Sequence, residues 1–173
     1  MNVLTNFKEI KAFVLDVDGV LTDGMLLLLE DGQMARNMNI KDGYALQLAI
    51  KKGYHILVIS GGNADAVKLR LQRLGVVEVF MNVINKKEIL IEYISQYELK
   101  WEQVLYMGDD IPDLVPMQMV GLPCCPADAV PEIKTVSHYI SHINGGHGCV
   151  RDVIEKVLKL NGHWDTDSKI PSK

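Results

Sequence analysis

Two carboxylates one residue apart follow the first apolar run of the sequence, in the stretch FVLDVDGVLTDG at residues 13–24. Residues i and i+2 of a strand point to the same side, so Asp16 and Asp18 can converge on one point where the strand ends. Neighbouring negative charges are unfavourable unless one is protonated or a cation joins them. Mg²⁺ would relieve the conflict, because it prefers carboxylate, water and phosphate oxygens. A D-x-D pair alone is common in turns and on surfaces, so its weight depends on the rest of the chain.

Small and basic residues follow two later apolar runs. The stretch ILVISGG ends in Ser60, Gly61 and Gly62, and small residues there let backbone N–H groups and the next helix N-terminus approach a phosphate. The stretch VINKKEIL places Lys86 and Lys87 at the start of a helix, where a cation opposes the helix dipole. A phosphate-facing role for one of them explains that position, and we expect Lys87 to lie in solvent.

A second acidic cluster ends a further apolar run, in the stretch VLYMGDDIPDL. It contains Asp109, Asp110 and Asp113. Helix capping explains Asp110 or Asp113, but three acids exceed what a cap needs. The order of acid pair, hydroxyl, lysine and acid cluster, each at the end of an apolar run, predicts a site for phosphate and metal.

The elements that must position these residues alternate along the chain. Runs typical of buried parallel strands lie at 12–17, 55–60, 77–81, 104–108 and 120–124, and amphipathic helical periodicity fills the gaps. This alternation predicts an α/β fold with a doubly wound parallel sheet. In such sheets ligands lie beyond the carboxyl ends of the strands, which is where the candidate residues fall.

One segment departs from the alternation. The stretch EDGQ carries an Asp-Gly turn signal, so we predict a small β-hairpin of 25–30 against 33–38, inserted at about 24–38. Its five consecutive apolar residues, Met25 to Leu29, exceed what one buried face needs. A contact between copies of the chain would cover the other face.

Length and composition limit the other possibilities. The 173 residues suit a single domain over 1–160, followed by a polar tail at 161–173 in which Trp164 is expected to dock. A net charge of −4 argues against a nucleic-acid-coating surface, and the longest aliphatic run is too short for a membrane span. The sequence has three cysteines, Cys124, Cys125 and Cys149, which form no disulfide or metal pattern. We expect reduced thiols in a cytoplasmic protein.

The pattern D-x-D-G, strand-end Ser, Lys and G-D-D-x-x-D resembles that of the haloacid dehalogenase-like phosphotransferases. Within them, DVDGVLTDG, NIKDGYALQ, GDDIPDL and GGHGCVRDVIEKVL, together with a hairpin in place of a large cap, resemble the 3-deoxy-D-manno-octulosonate 8-phosphate phosphatases. The resemblance implies that family's Rossmann-like fold and a sugar acid phosphate as substrate. It also implies a homo-oligomer, usually a tetramer, in which hairpins assemble and C-terminal tails approach a neighbour's active site.

Catalytic roles follow from the same resemblance. Asp16 would be the nucleophile that forms an aspartyl-phosphate. Asp18 would protonate the departing sugar oxygen and then activate water. Mg²⁺ would be held by Asp16, the backbone carbonyl of Asp18 and Asp109.

The remaining polar residues have supporting roles in the resemblance. Ser60, Gly61 and Lys86 would bind the transferring phosphoryl group. Asp110 and Asp113 would orient the metal's surroundings.

Recognition of the sugar acid is implied for two further groups of residues. Asn39, Lys41, Asp42 and Gly43 match a stretch that lines the sugar site in the family. Arg70 matches a position that can meet the substrate carboxylate.

The chain departs from the family pattern in two places. Gly62 stands where the octulosonate enzymes usually carry Arg, and His147 stands where the tail motif commonly has Arg, close to Arg151. Losing one cation and keeping only a titratable one at the other weakens a carboxylate clamp. Asn63 or Arg70 could compensate.

Three alternatives remain open at this point. A phosphatase of a nine-carbon sialic-type acid 9-phosphate would vary at these same positions. A receiver domain also has an acid pair, a hydroxyl and a lysine, but its phosphorylated Asp stands alone on a middle strand. A non-catalytic oligomeric scaffold would keep the fold without phosphate release.

Overall fold

A computed structural model describes residues 3–166 and 169–171. Its strands are β1 Ala12–Leu15, β2 Leu27–Leu28, β3 Met34–Ala35, β4 His55–Ile59, β5 Glu78–Phe80, β6 Val104–Met107, β7 Leu122–Cys125 and β8 Tyr139–Ile140. Six of them form a central sheet in the order β5-β4-β1-β6-β7-β8, in which every neighbouring pair is parallel. The other two, β2 and β3, pair with each other.

Helices connect the strands and cover the sheet. The helices are α1 Val3–Glu9, α2 Ile40–Lys51, α3 Asp65–Arg73, α4 Lys86–Gln96, α5 Leu114–Met117, α6 Pro131–Val136 and α7 Cys149–Leu160. A tight helical turn, Val17–Leu21, directly follows β1. Short 3₁₀ turns occur at Trp101–Gln103 and Ile111–Asp113.

Two apolar cores lie on opposite faces of the sheet. Phe13 and Leu15 of β1 belong to the core under α1, α2, α3 and α7, whereas Ala12 and Val14 belong to the core under α4, α5 and α6. This alternation is the strand period of two, and burial on both sides explains the unbroken apolar runs. The predicted doubly wound α/β sheet is confirmed.

The predicted hairpin is confirmed, but its ladder is shorter than expected. Leu27 pairs with Ala35 and Leu28 with Met34, and the N–H of Leu29 donates to the carbonyl of Gln33 at 2.9 Å. The side chains of this ladder do not enter either core. Leu27 is 64% exposed and Leu28 71%, so the apolar run lies on the surface of this chain.

Most boundaries lie within a residue or two of the sequence prediction. β1 ends at Leu15 rather than at 17, because the chain turns sharply at Val17–Leu21, where Gly19 has φ +89°. The helix that follows the hairpin, α2, begins at Ile40 and is capped by Asn39. The sequence did not indicate β8, since a strand of two residues shows no periodicity.

The start of the tail packs on the body of the molecule, as predicted for Trp164. The Trp164 ring meets the Tyr44 ring edge-on at 5.8 Å between centroids, and the Arg151 guanidinium lies 5.3 Å from the Trp164 centroid. Lys52 forms an ion pair with Asp165 at 2.7 Å. The rest of the predicted tail lies partly outside the described residues.

The cysteines match expectation, since Cys124, Cys125 and Cys149 are all free and buried. In the described part of the chain, no helix combines the length and the apolar character needed to cross a membrane.

Candidate active site

The site forms where three adjacent strands end. β1 lies between β4 and β6, so the residues that follow these strands meet at one edge of the sheet. Asp16, Ser60 and Asp109 occupy these positions. The sheet order therefore explains why residues distant in sequence come together, as expected for the carboxyl edge of a parallel sheet.

Lys86 joins two of the loops. Its Nζ donates to Oδ1 of Asp16 at 2.7 Å and to Oδ1 of Asp113 at 2.8 Å. The hydroxyl of Tyr106 also donates to Oδ1 of Asp113, at 2.8 Å. Lys86 is only 6% exposed although it opens α4, so its buried position at a helix start is explained by these two carboxylates. The neighbouring Lys87 is exposed, as expected.

Three carboxylates form a candidate metal site. Oxygen atoms of Asp16, Asp109 and Asp113 lie within 4.8 Å of one another. Oδ1 of Asp109 is buried, and among the described residues it has no hydrogen-bond partner. A hard divalent cation would satisfy that oxygen and neutralise the cluster, so these residues fit Mg²⁺. Asp113 is close enough to join these ligands, but its oxygens already accept hydrogen bonds from Lys86, Tyr106 and the N–H of Asp109, so its predicted place around the metal stays a prediction.

The close packing of these acids raises the pKa values of two of them. Burial, together with the charge of Asp113, raises the pKa of Asp16 to about 6, although Lys86 opposes this effect. Burial and the charges of Asp16 and Asp113 raise the pKa of Asp109 to about 8. Burial disfavours the charged form of Lys86, but the two carboxylates outweigh it and raise the pKa of the ammonium group. One buried cation does not balance three acids, which favours binding of a further cation.

Gly19 permits the close approach of two loops. Its φ of +89° is in the left-handed region, and a Cβ at this position would overlap the Asp109 carboxylate. A side chain would therefore strain the turn and displace a candidate metal ligand. This accounts for the glycine that follows the second acid of the D-x-D-G motif.

Asp18 does not share the partners of Asp16. Its carboxylate accepts two hydrogen bonds from Arg36, from Nε at 2.6 Å and from Nη2 at 3.3 Å, and a third from Oγ1 of Thr22 at 3.5 Å. The two acids of the motif therefore point to different groups, one to the buried lysine and one to the hairpin. Arg36 was not identified from the sequence, because no pattern places a hairpin residue against the first strand end.

The strand-end hydroxyl is enclosed. Ser60 is buried, and its Oγ accepts a hydrogen bond from the backbone N–H of Gly62 at 3.1 Å. Gly61 and Gly62 continue the loop toward α3. A Cβ on Gly62 would lie 3.5 Å from this hydroxyl and 2.8 Å from Oδ2 of Asp18, so the small residues and the hydroxyl stand beside the second acid of the D-x-D-G motif. Their role in binding phosphate stays a prediction.

Some of the residues predicted for sugar recognition line two different cavities. Arg70 and Asn63 line a cavity of about 810 Å³ between the hairpin and α3, and Arg36 lines the same cavity. Lys41 and His147 line a separate cavity of about 300 Å³. The structure therefore does not bring all of the predicted specificity residues into one cavity.

Asp42 has a structural partner. It is buried, and its Oδ1 accepts a hydrogen bond from the backbone N–H of Arg151 at 2.8 Å, in the first turn of α7. Its Oδ2 is buried and has no partner among the described residues. Burial raises the pKa of Asp42 to about 6. Asp42 thus joins the beginnings of α2 and α7.

The other predicted residues also have identifiable surroundings. Asn39 caps α2 by accepting from the N–H of Lys41 at 2.9 Å, and a Cβ on Gly43 would press against Leu74. Asp110 is exposed, and its side chain accepts from the N–H of Ile111 at 2.8 Å. These contacts are those of helix caps and close packing.

The His147 side chain is oriented by the backbone. Its Nδ1 lies 2.7 Å from the carbonyl oxygen of Gly145, so a hydrogen bond from Nδ1 leaves Nε2 for another partner.

Comparison with known proteins indicates the class of this site. The family model of the haloacid dehalogenase-like hydrolases matches residues 67–153. The 3-deoxy-D-manno-octulosonate 8-phosphate phosphatase of Salmonella typhi is 34% identical over 164 residues, which cover 95% of this chain and 87% of that protein.

Solved structures are similar over nearly the whole chain. The crystal structure of the same phosphatase from Yersinia pestis has a TM-score of 0.90 and 30% identity, covering 93% of this chain and 87% of that one. The enzyme from Moraxella catarrhalis, in complex with a magnesium ion, a phosphate ion and KDO, has a TM-score of 0.88 and 29% identity, covering 91% of both chains.

Proposed function

Because the chain belongs to the haloacid dehalogenase-like hydrolases, in the family of the 3-deoxy-D-manno-octulosonate 8-phosphate phosphatases, we propose that it hydrolyses 3-deoxy-D-manno-octulosonate 8-phosphate. The observation that carries this proposal is the Lys86 ammonium group bound to both Asp16 and Asp113 beside Asp109. In these proposed roles a nucleophile, a cation and metal ligands would meet at one edge of the sheet. The products would be the free sugar acid and phosphate.

Asp16 is the proposed nucleophile. Lys86 bonds to Oδ1 of Asp16, so the carboxylate is held in one orientation with Oδ2 outside that contact. A carboxylate oxygen attacks phosphorus, the bond from phosphorus to the sugar oxygen breaks, and an aspartyl-phosphate forms. Water then attacks phosphorus, which releases phosphate and restores Asp16.

Asp18 is the proposed proton carrier. It gives a proton to the departing sugar oxygen and takes one from the attacking water, so both half-reactions balance. Its hydrogen bond to Arg36, which lines the cavity proposed for the sugar, supports this role. Ser60 and Lys86 would bind the phosphoryl oxygens, where negative charge must be stabilised in the transition state.

Mg²⁺ is the proposed cofactor, held by the carboxylates of Asp16 and Asp109 and the backbone carbonyl of Asp18, with Asp113 beside them. When bound, it would supply the positive charge that allows an anionic nucleophile and an anionic phosphate to approach.

A second candidate substrate is a nine-carbon 2-keto-3-deoxy acid 9-phosphate. Gly62 favours keeping it, because the chain lacks a side chain at a position beside Asp18 where the octulosonate enzymes usually carry Arg. A different set of cations around the cavity could accept a longer sugar acid. Only a comparison of substrates separates the two candidates.

Phosphate release in the presence of Mg²⁺ tests the proposal. We expect turnover of the eight-carbon acid phosphate to exceed that of nine-carbon acid phosphates and of an aryl phosphate. Asp16→Asn should lower kcat by at least about 1,000-fold while the circular dichroism spectrum stays unchanged. No release from any ester by the wild type would instead support a scaffold or a receiver-like domain.

We also propose that the chain forms a homo-oligomer through the hairpin, with a tetramer as the expected assembly. The support is a run of exposed apolar side chains on the hairpin: Met25, Leu26, Leu27, Leu28, Leu29 and Met34. Patches of this kind usually mark protein contacts.

Sedimentation velocity tests the oligomer. Leu27→Lys combined with Leu28→Lys should shift the protein toward monomer, because two charges would be buried in the contact. The exposed pair Val77→Lys and Ile84→Lys, outside the hairpin, is the matched control and should leave the oligomer intact. A monomeric wild type would contradict the proposal.

We propose a cytoplasmic location as well. The three buried free thiols are consistent with a reducing compartment. Fractionation of cells that express the chain at natural levels would test it.

A further inference from the structure

Arg36 is a cation that the proposed chemistry does not yet use. It lies in the segment after β3 and reaches back to the end of β1, where it forms the ion pair with Asp18 at 2.6 Å. Its side chain is only 8% exposed, although the surrounding hairpin is among the most exposed parts of the chain. The ion pair and the low exposure therefore restrict this long side chain to one position.

The space for Arg36 depends on Gly62. The backbone at Gly62 has no positive φ, so its conformation is one that other residues adopt. A Cβ there would lie 2.8 Å from Oδ2 of Asp18 and 3.3 Å from Nη2 of Arg36. The first distance is too short for an ordinary contact. The turn therefore does not demand glycine at position 62, whereas a side chain there would have to displace the paired ends of Asp18 and Arg36.

The guanidinium retains capacity for a ligand. Arg36 donates to Asp18 through Nε and Nη2, and Nη1 lies 3.5 Å from the carbonyl oxygen of Met34. These contacts use three of its five N–H groups. The fork geometry of the guanidinium suits a second carboxylate better than a neutral hydroxyl.

The charged groups around the adjoining cavity balance one another. Among the described residues that line it, Arg36 and Arg70 are cationic and Asp65, which is exposed, is the only carboxylate. Asp18 neutralises one positive charge from outside the lining. These four charged groups sum to zero, so the attraction for an acid comes from the remaining N–H groups of Arg36 and not from a net charge of the cavity.

We propose that Arg36, held by Asp18 in the space that Gly62 leaves open, binds the carboxylate of the sugar acid substrate. The inference rests on the proposed function and names a specificity residue for it. The hairpin then has a role in the chemistry, because the segment after β3 provides the cation that binds the substrate carboxylate. The inference also explains why a glycine is acceptable beside the acid cluster.

The first experiment compares kcat and KM for a 2-keto-3-deoxy sugar acid 8-phosphate and for the neutral mannose 6-phosphate. Arg36→Met should raise KM for the acid roughly 30-fold, by loss of a charge-assisted contact. It should raise KM for the neutral ester by much less, so the preference for the acid falls at least about tenfold. Arg36→Lys should recover part of the KM, and Arg73→Met, an exposed arginine of α3, is the control.

The second experiment is a double-mutant cycle with Gly62→Ala. In the wild-type background the added methyl group should lower kcat/KM for the acid about tenfold, because Arg36 keeps Asp18 against it. In the Arg36→Met background Asp18 can move, so Gly62→Ala should cost less than about threefold. Multiplicative effects of the two substitutions would overturn the claim that Arg36 and the space at 62 form one unit.

Failure of this inference is distinct from failure of the proposed function. If the wild type releases phosphate from the acid and Arg36→Met changes KM equally for both esters, Arg36 acts only through Asp18 and the proposal is wrong. If the wild type releases no phosphate from any sugar acid phosphate, the proposed function is wrong first.

Discussion

Lys86 holds the site together at the scale of single residues, because its one ammonium group meets carboxylates from two loops. Pairing a buried cation with buried acids offsets the cost of taking each from water. The balance is incomplete, since Asp109 adds a third carboxylate to the cluster without a bond to the lysine. The excess negative charge raises the pKa of Asp16 to about 6 and that of Asp109 to about 8, with burial as the larger cause in both. The site is therefore arranged for a second cation.

Asp42 gives a prediction about pH and stability. Burial raises its pKa to about 6 from the ordinary 3.8, so the folded state binds a proton that the unfolded state releases. This contribution to stability is present below about pH 4 and is lost as pH rises through about 6. At neutral pH the buried charge costs up to about 3 kcal/mol. Asp42→Asn should therefore raise the free energy of unfolding by about 1–3 kcal/mol at pH 7, and by close to zero at pH 4.

Urea unfolding of both proteins across this pH range measures that difference. Glu132→Gln, which removes an exposed acid from α6, serves as the control and should show no such pH dependence. A stability difference between Asp42→Asn and wild type that stays constant with pH would contradict the role of the buried charge.

The predictability of the site depended on how each residue is positioned. Asp16, Ser60, Lys86 and Asp109 follow strands or open a helix, so the sheet order alone predicts their proximity. Arg36 lies on a hairpin whose orientation over the sheet is set by tertiary contacts that no local pattern encodes. The sequence showed that Gly62 replaces an arginine of the family pattern. It did not show that another cation, Arg36, lies beside that position.

At the scale of elements, the segment after α7 packs against both α2 and α7. Trp164 packs against Tyr44 of α2 and Arg151 of α7, and Oη of Tyr54 lies 2.9 Å from Nδ1 of His163. These are contacts within one chain. The polar composition of the segment concealed them, because only one large ring carries the apolar contact.

Trp164→Ala tests the contribution of this segment. Loss of the ring should lower the free energy of unfolding by about 1–3 kcal/mol, because it removes a partly buried aromatic contact. Lys52→Ala, which removes only the exposed ion pair with Asp165, should cost less than about 1 kcal/mol. Urea unfolding measures both.

Deleting the chain after Leu160 extends the test to turnover. If stability falls while kcat under native conditions stays normal, the segment acts through packing on its own chain. Unchanged stability with a large loss of kcat would contradict the packing role and would support contact with a neighbour's active site.

At the scale of the whole molecule, the sheet and the acid cluster act in opposition. Two apolar cores stabilise the parallel sheet from both faces, and the same sheet brings three carboxylates together at its edge. The fold therefore stores electrostatic repulsion at the place where it does chemistry. A bound cation that relieves this repulsion stabilises the entire domain, because the carboxylates that hold it lie on loops from two adjacent strands of one sheet.

Thermal unfolding with and without Mg²⁺ tests this coupling. At about 100 times its dissociation constant, Mg²⁺ should add about 2.7 kcal/mol and raise the Tm by about 5–10 °C. Above about pH 8, where Asp109 is charged, Asp109→Asn should raise the Tm without Mg²⁺, because it removes one of three mutually repelling charges. At pH 7, where a pKa of about 8 keeps Asp109 largely protonated, that Tm should change little, and at either pH the substitution should abolish most of the Mg²⁺-induced increase. Asp31→Asn removes the same charge from the exposed hairpin turn and should keep the full increase. An Asp109→Asn protein that Mg²⁺ stabilises as strongly as the wild type would place the metal elsewhere, because the carboxylate cluster could then not be what holds it.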